Sequence, residues 1–159
     1  MTTILKINPG IFKANDIRGK YPSEINEKVV SEIVERLGKF FNSGKIIIAH
    51  DARLSSPKLY RAAIKGMMNN ELGIKNKNKK PIIHNSPPKA DPPLAEKFII
   101  LKAGLATTPM FYFLVKKLKA GGGVIITASH NPKNYNGLKI VDKNALPISG
   151  ITIKKSLNL

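Results

Sequence analysis

From Asn26 onward apolar residues recur every three or four positions. Val29, Val30, Ile33, Val34, Leu37, Phe40 and Phe41 fall on one stripe of a 3.6-residue period, with Lys28, Glu32, Glu35, Arg36 and Lys39 on the other side. The pattern predicts a helix capped by Asn26 and running to about Phe41. Gly44-Lys45 then leads into Ile46-Ile47-Ile48-Ala49, an apolar run short enough for a strand covered on both faces. Ser56-Pro57 reads as a helix start, serine as cap and proline at the first helical position, with Leu59, Ala63, Ile64 and Met67 as the buried stripe. Thr108-Pro109 repeats the device for a helix to Lys119 that buries Phe111, Leu114, Val115 and Leu118. Gly121-Gly122-Gly123 reads as a turn, since it precedes its strand where a dinucleotide-binding loop would follow one. Helices alternating with short apolar strands predict an α/β fold.

One stretch breaks the pattern. Lys75, Lys77, Lys79 and Lys80 repel one another, and Pro81, Pro87-Pro88 and Pro92-Pro93 remove donors that a sheet would need. The composition predicts a solvated, mobile insert over about 75–97.

Composition narrows the classes. At 159 residues and 42% hydrophobic residues, the chain can build one ordinary core. Zero cysteines excludes disulfides and thiol chemistry, and His50, His84 and His130 lack metal-ligand spacing. No apolar run approaches membrane-spanning length and the first residues lack a secretory pattern, so the expected location is the cytoplasm. The net charge of +17 raises a basic module binding nucleic acid or another polyanion as an alternative function. Only four of the 27 basic residues are arginine and there is no tryptophan, so the bidentate forks and stacking platforms of nucleic-acid readers are scarce, and solvated lysine faces are the favoured reading.

The chemistry concentrates in Thr127-Ala128-Ser129-His130-Asn131-Pro132, reached directly from the apolar run Gly123-Val124-Ile125-Ile126. A serine carried off a buried strand onto a tight polar turn is displayed. It becomes a good phosphate carrier where neighbours neutralise the dianion. Asn134-Tyr135-Asn136-Gly137 makes a second reversal before the alternating strand Leu138-Lys139-Ile140-Val141, so Ser129 and Lys139 can face one pocket. Taken singly, Ser129 and Asn131 read more readily as turn formers, His130 as a surface residue and Lys139 as a solvated strand lysine, and Arg18 can be a structural partner of Asp16.

In order along the chain, these residues resemble the phosphohexomutases, and most closely their phosphomannomutase/phosphoglucomutase branch. Phe12-Lys13-Ala14-Asn15-Asp16-Ile17-Arg18-Gly19 is similar to the branch's opening signature, with Asn15 where an aromatic residue is usual. Asp51-Ala52-Arg53-Leu54-Ser55-Ser56-Pro57 is similar to the family's Asp-x-Arg-x-Ser segment, with His50 in place of the usual glycine. Gly104-Leu105-Ala106-Thr107-Thr108-Pro109 and Pro147-Ile148-Ser149-Gly150 resemble two further turns.

The resemblance implies the family's first domain over 1–150, a layered α/β domain with a mixed sheet flanked by helices, followed by a C-terminal tail over 151–159. It implies a phosphoserine at Ser129 that exchanges phosphate with hexose 1-phosphates and 6-phosphates through a hexose 1,6-bisphosphate. Arg18 and Lys139 match positions near the reacting phosphate, Lys139 also as a base. His130 would handle protons or hydrogen-bond, Asn131 would bind phosphate, and Ser129 would offer Mg²⁺ one phosphate oxygen. Asp51 and Arg53 are expected to brace the sheet end. No Asp-Gly-Asp magnesium loop occurs, so the main metal ligands and the sugar-specificity loop are expected on later domains, on a separate chain if need be. This polypeptide alone is expected to have little mutase turnover, and the signatures tilt the sugar toward mannose.

Overall fold

The computed structural model describes residues 7–41, 44–72 and 98–158. The expected insert over 75–97 lies outside the described residues. A mixed sheet of six strands is flanked by helices on both faces. Its strands are β1 (Ile17–Lys20), β2 (Gly44–His50), β3 (Phe98–Leu105), β4 (Gly122–Ile126), β5 (Tyr135–Asp142) and β6 (Pro147–Ile148). They lie in the order β1-β5-β4-β2-β3, with β6 on β5. β2 is parallel to β3 and β4, whereas β5 runs antiparallel to β1, β4 and β6.

Side-chain alternation divides the core. On one face Ile46, Ile48, Val124, Ile126, Leu138 and Ile140 lie buried with α1 (Glu27–Glu35) and α2 (Ser56–Leu72), which bring Val30, Ile33, Val34, Leu59, Ala63 and Met67. On the other, Ile47, Ala49, Ile125 and Val141 meet Phe111 and Val115 of α3 (Thr108–Lys117). Each such side chain contributes about 1.5–3 kcal/mol by leaving water.

Several boundaries differ from the sequence expectation. Asn26 caps α1 as expected, accepting from Lys28 and Val29, but the α-helix stops at Glu35 and tightens into a 3-10 segment, Arg36–Phe40. Leu37 and Phe41 are buried there all the same. Ser56 is not a cap: its hydroxyl donates to Asp51 Oδ1 at 2.5 Å, and the helix begins at Ser56 itself. Thr107, one residue before the expected cap, accepts from the Met110 amide. α3 ends at Lys117, which leaves Leu118 38% exposed at the cap position.

Gly122 and Gly123 begin β4 instead of forming a turn, and a Cβ on Gly123 would lie 2.7 Å from the Phe111 ring. Tyr135–Gly137, expected as a reversal, already belong to β5 and pair with β1. Beyond residue 150, where a tail was expected, α4 (Gly150–Ser156) follows the N-cap Ser149 and buries Ile153 and Leu157 in the larger core.

Candidate active site

β4 delivers the chain from the sheet to Thr127, whose amide donates to the Gly137 carbonyl, and then into an exposed loop. Ser129 stands in that loop with φ of 51°, the left-handed region that non-glycine residues occupy only at a cost of about 1 kcal/mol or more. Local bonds specify the bend. The Ser129 amide donates to Thr127 Oγ1 at 3.0 Å, and the Asn131 amide and Nδ2 donate to the Ala128 carbonyl at 3.1 and 3.0 Å.

The main constraint comes from 76 residues earlier in the chain. Arg53 Nη1 donates to the carbonyls of Pro132 at 2.8 Å and Tyr135 at 3.1 Å, and Nη2 to those of Ser129 at 2.8 Å and Asn131 at 2.7 Å. Its Nε pairs with Asp51 Oδ2 at 3.3 Å. Asp51 Oδ1 accepts from the Arg53 amide at 3.0 Å and from Ser56 Oγ. Ser56 Oγ in turn accepts from Asn136 Nδ2 at 2.9 Å, and that nitrogen also reaches Ser55 Oγ at 2.8 Å. A polar network thus ties the end of β2, the start of α2 and the start of β5 to the serine loop. His50, in the place of a glycine, fits by packing its ring on Tyr60 at 4.8 Å and pointing Nδ1 at the Asp51 carbonyl 2.8 Å away.

Ser129 opens onto a cleft of about 530 Å³ lined by Asp51, Ala52, Arg53, Leu54, Asn131 and Lys133. Leu54 is 99% exposed at its lip. Lys133 is a cation of this cleft that sequence reasoning missed, because a lysine between proline and asparagine reads as an ordinary turn residue. Asn131 lines the cleft, but its Nδ2 is held by the loop itself. His130 is exposed and is not among the cleft's lining residues.

Arg18 and Lys139 sit apart from that lining. Arg18 pairs with Gly137 across β1 and β5, and Lys139 stands opposite Ile125. Alternation puts Arg18, Gly137, Lys139 and Val141 on one face, the face that α3 covers. Gly137 permits the approach of β1, since a Cβ there would lie 2.1 Å from the Ile17 carbonyl oxygen. Arg18 forms an ion pair with the buried Asp16, yet its Nε is buried and has no partner among the described residues. Tyr112 of α3 has its pKa raised, first by burial and then by the charge of Asp16.

No three His, Asp or Glu side chains gather among the described residues. Asp51, the carboxylate of the cleft, has both oxygens engaged. The carboxylates among the described residues therefore do not by themselves form a seat for Mg²⁺. No helix among the described residues is long and apolar enough to cross a membrane.

Comparison with known proteins agrees with this architecture. The family described as phosphoglucomutase/phosphomannomutase, alpha/beta/alpha domain I, matches residues 9–79 and 94–156, leaving a gap within the lysine- and proline-rich stretch. A phosphomannomutase of Escherichia coli is 37% identical over 141 residues, which are 89% of this chain and 25% of the relative. A phosphomannomutase of Klebsiella pneumoniae is likewise 37% identical over 89% of this chain and 73% of its own length. A crystal structure of a phosphoglucomutase/phosphomannomutase family protein from Burkholderia thailandensis superposes with a TM-score of 0.70 at 24% identity, covering 96% of this chain and 30% of that one. The chain spans about a quarter of the E. coli relative's length. With its mixed six-stranded sheet, its covering helices and the serine turn beyond β4, the chain belongs to the phosphoglucomutase/phosphomannomutase family, as alpha/beta/alpha domain I.

Proposed function

We propose that Ser129 carries the phosphoryl group in a mutase that interconverts hexose 1-phosphates and 6-phosphates through a bound 1,6-bisphosphate. The observation that carries this reading is the displayed serine, exposed, held at positive φ and opening on a cleft with Lys133 beside it. In the forward step a sugar hydroxyl oxygen forms a bond to phosphorus as the bond from phosphorus to Ser129 Oγ breaks. The hydroxyl proton ends on Ser129 Oγ, or on a base that later returns it, and the bisphosphate reverses the step with its other phosphate. Cations that neutralise the transferring oxygens are the main source of rate in such a reaction. Arg18 supports the reading through its unpartnered buried Nε, and Lys139 through its place on the same sheet face.

A Mg²⁺ ion would neutralise charge on the transferring group; in this chain its proposed ligand is an oxygen of the Ser129 phosphate. Since the match to the E. coli relative covers 25% of that protein, groups on further domains or on a separate chain are proposed to complete turnover and sugar choice. Intact mass before and after incubation with glucose 1,6-bisphosphate and magnesium tests the assignment. One phosphate gained by the native chain and none by Ser129→Ala is the expected result. An equal gain in both proteins, or none in the folded native chain, refutes it.

A further inference from the structure

Arg53 combines a long-range position with complete engagement. A guanidinium has five N–H donors in a rigid fork. Here one faces Asp51 and four reach backbone carbonyls of the serine loop, those of Ser129, Asn131, Pro132 and Tyr135. The side chain is 15% exposed; its bonds to the Asn131 and Tyr135 carbonyls are partly buried, and those to Ser129 and Pro132 lie at the exposed edge of the loop. No lysine could reproduce them with three donors on one atom.

The arrangement fixes more than position. In a planar trans peptide the C=O and the following N–H point in opposite directions. Drawing the Ser129 and Pro132 carbonyls toward Arg53 turns the amides of His130 and Lys133 away from it. Neither amide donates to any group among the described residues, whereas those of Ser129, Asn131 and Tyr135 all do. The Asn131 carbonyl precedes a proline, which has no N–H to offer. Lys133 and Ser129 line the same cleft, and His130, outside that lining, follows Ser129 directly in the chain. Carbonyl oxygens facing a dianion would repel it, and free amides facing it would hold it with charge-assisted hydrogen bonds.

We propose that Arg53 is the positioning residue of the serine loop: it holds the loop carbonyls inward, keeps Ser129 in its left-handed conformation, and so leaves the His130 and Lys133 amides free to bind the oxygens of a phosphoryl group on Ser129. This rests on the proposed phosphoserine function and assigns its anion site to backbone amides oriented by a side chain remote in sequence. Arg53 itself acts through the loop and touches no reacting atom.

The test uses the full 159-residue chain, labelled with ¹⁵N, with phosphoserine installed at position 129 during synthesis and compared with the unmodified chain. The His130 and Lys133 amide protons are expected to move downfield, and to return as the phosphate takes up its second proton near about pH 6. In Arg53→Lys both shifts should vanish, and the rate of phosphate gain from glucose 1,6-bisphosphate should fall at least about tenfold. Unmoved amides in the phosphorylated native chain overturn the inference, as do shifts that persist in a folded Arg53→Lys. The native chain decides the matter even if that variant does not fold. Failure of the unmodified chain to accept phosphate would count against the mutase reading, whereas the installed phosphoserine reports on the amides independently of transfer.

Discussion

Two arginines, one under the serine loop and one on the neighbouring strand β1, differ in what remains to be bonded. Arg53, under the serine loop, has four donors on carbonyls of residues 129–135 and its Nε paired with Asp51. Arg18, on β1 across from Gly137, pairs with Asp16 but keeps a buried Nε without a partner among the described residues. A buried donor left unsatisfied costs about 1–3 kcal/mol. A saturated cation has little left for a ligand and acts as scaffold, whereas Arg18 keeps one donor to give. Both motifs look alike as sequence, an arginine two residues after an aspartate, and only the hydrogen-bond accounting separates them.

The largest effect expected from this contrast is on stability. Arg53→Ala should lower the unfolding free energy by about 3–5 kcal/mol, because four loop carbonyls lose their shared donor and Asp51 loses its cation at once. Urea unfolding followed by circular dichroism measures it. A loss below about 0.5 kcal/mol would show that the loop holds its shape without the clamp, and the distinction between the two arginines would collapse. Next comes Gly137→Ala, at about 2–4 kcal/mol, since the new methyl would lie 2.1 Å from the Ile17 carbonyl oxygen and push β1 outward. The variant should also displace Arg18, which sits opposite on β1, and a crystal structure of it with β1 unmoved would contradict that coupling.

How far the sequence could have revealed this contrast varies by element. The helices of α1, α2 and α3 were legible because their apolar stripes are long, and β2 and β4 because four- to five-residue apolar runs leave few alternatives. The displayed serine was legible from its strand-to-turn context. The bracing role expected for Asp51 and Arg53 at the sheet end has a geometric counterpart, since Arg53 closes on the serine loop 76 residues away. What pattern could not supply was any bond of that range. Ser56 has the local signature of a helix cap, and tertiary demand from Asp51 and Asn136 took its hydroxyl instead. Short β1 and α4 were missed because four to seven residues carry too little periodicity, and α4 depends on burying only Ile153 and Leu157. Lys133 was invisible for a different reason: a lone turn lysine in a chain of net charge +17 has no distinguishing neighbour in sequence.

Arg18→Gln should show the opposite balance to Arg53→Ala. The Arg18 side chain is 27% exposed but that of Asp16 only 8%, so loss of the ion pair should cost about 1–3 kcal/mol, less than Arg53→Ala. If Arg18 serves the transferring phosphate as proposed, phosphate gain at Ser129 should fall by at least about tenfold. Stopped incubations resolved by intact mass give the rate. A large stability loss with an unchanged transfer rate would make Arg18 a second scaffold and erase the comparison.

The smallest effect is a pH dependence on the Arg18 side of the site. Tyr112 has its hydroxyl pKa raised above 10.0, first by burial against the sheet and then by the negative charge of Asp16. The folded chain therefore keeps the Tyr112 proton at a pH where the unfolded chain has released it. The stabilising contribution is present below about pH 10 and is lost as pH rises through the raised folded value. Tyr112→Phe has no proton to lose, so its unfolding midpoint should fall less steeply than that of the native chain across this alkaline range. Asp16→Asn should remove only part of the difference, because burial, the larger cause, remains. If Asp16→Asn instead abolished it, the charge of Asp16 would govern Tyr112 alone; if it changed nothing, Arg18 would already neutralise Asp16 fully, and the incomplete engagement that distinguishes Arg18 from Arg53 would be confined to its Nε.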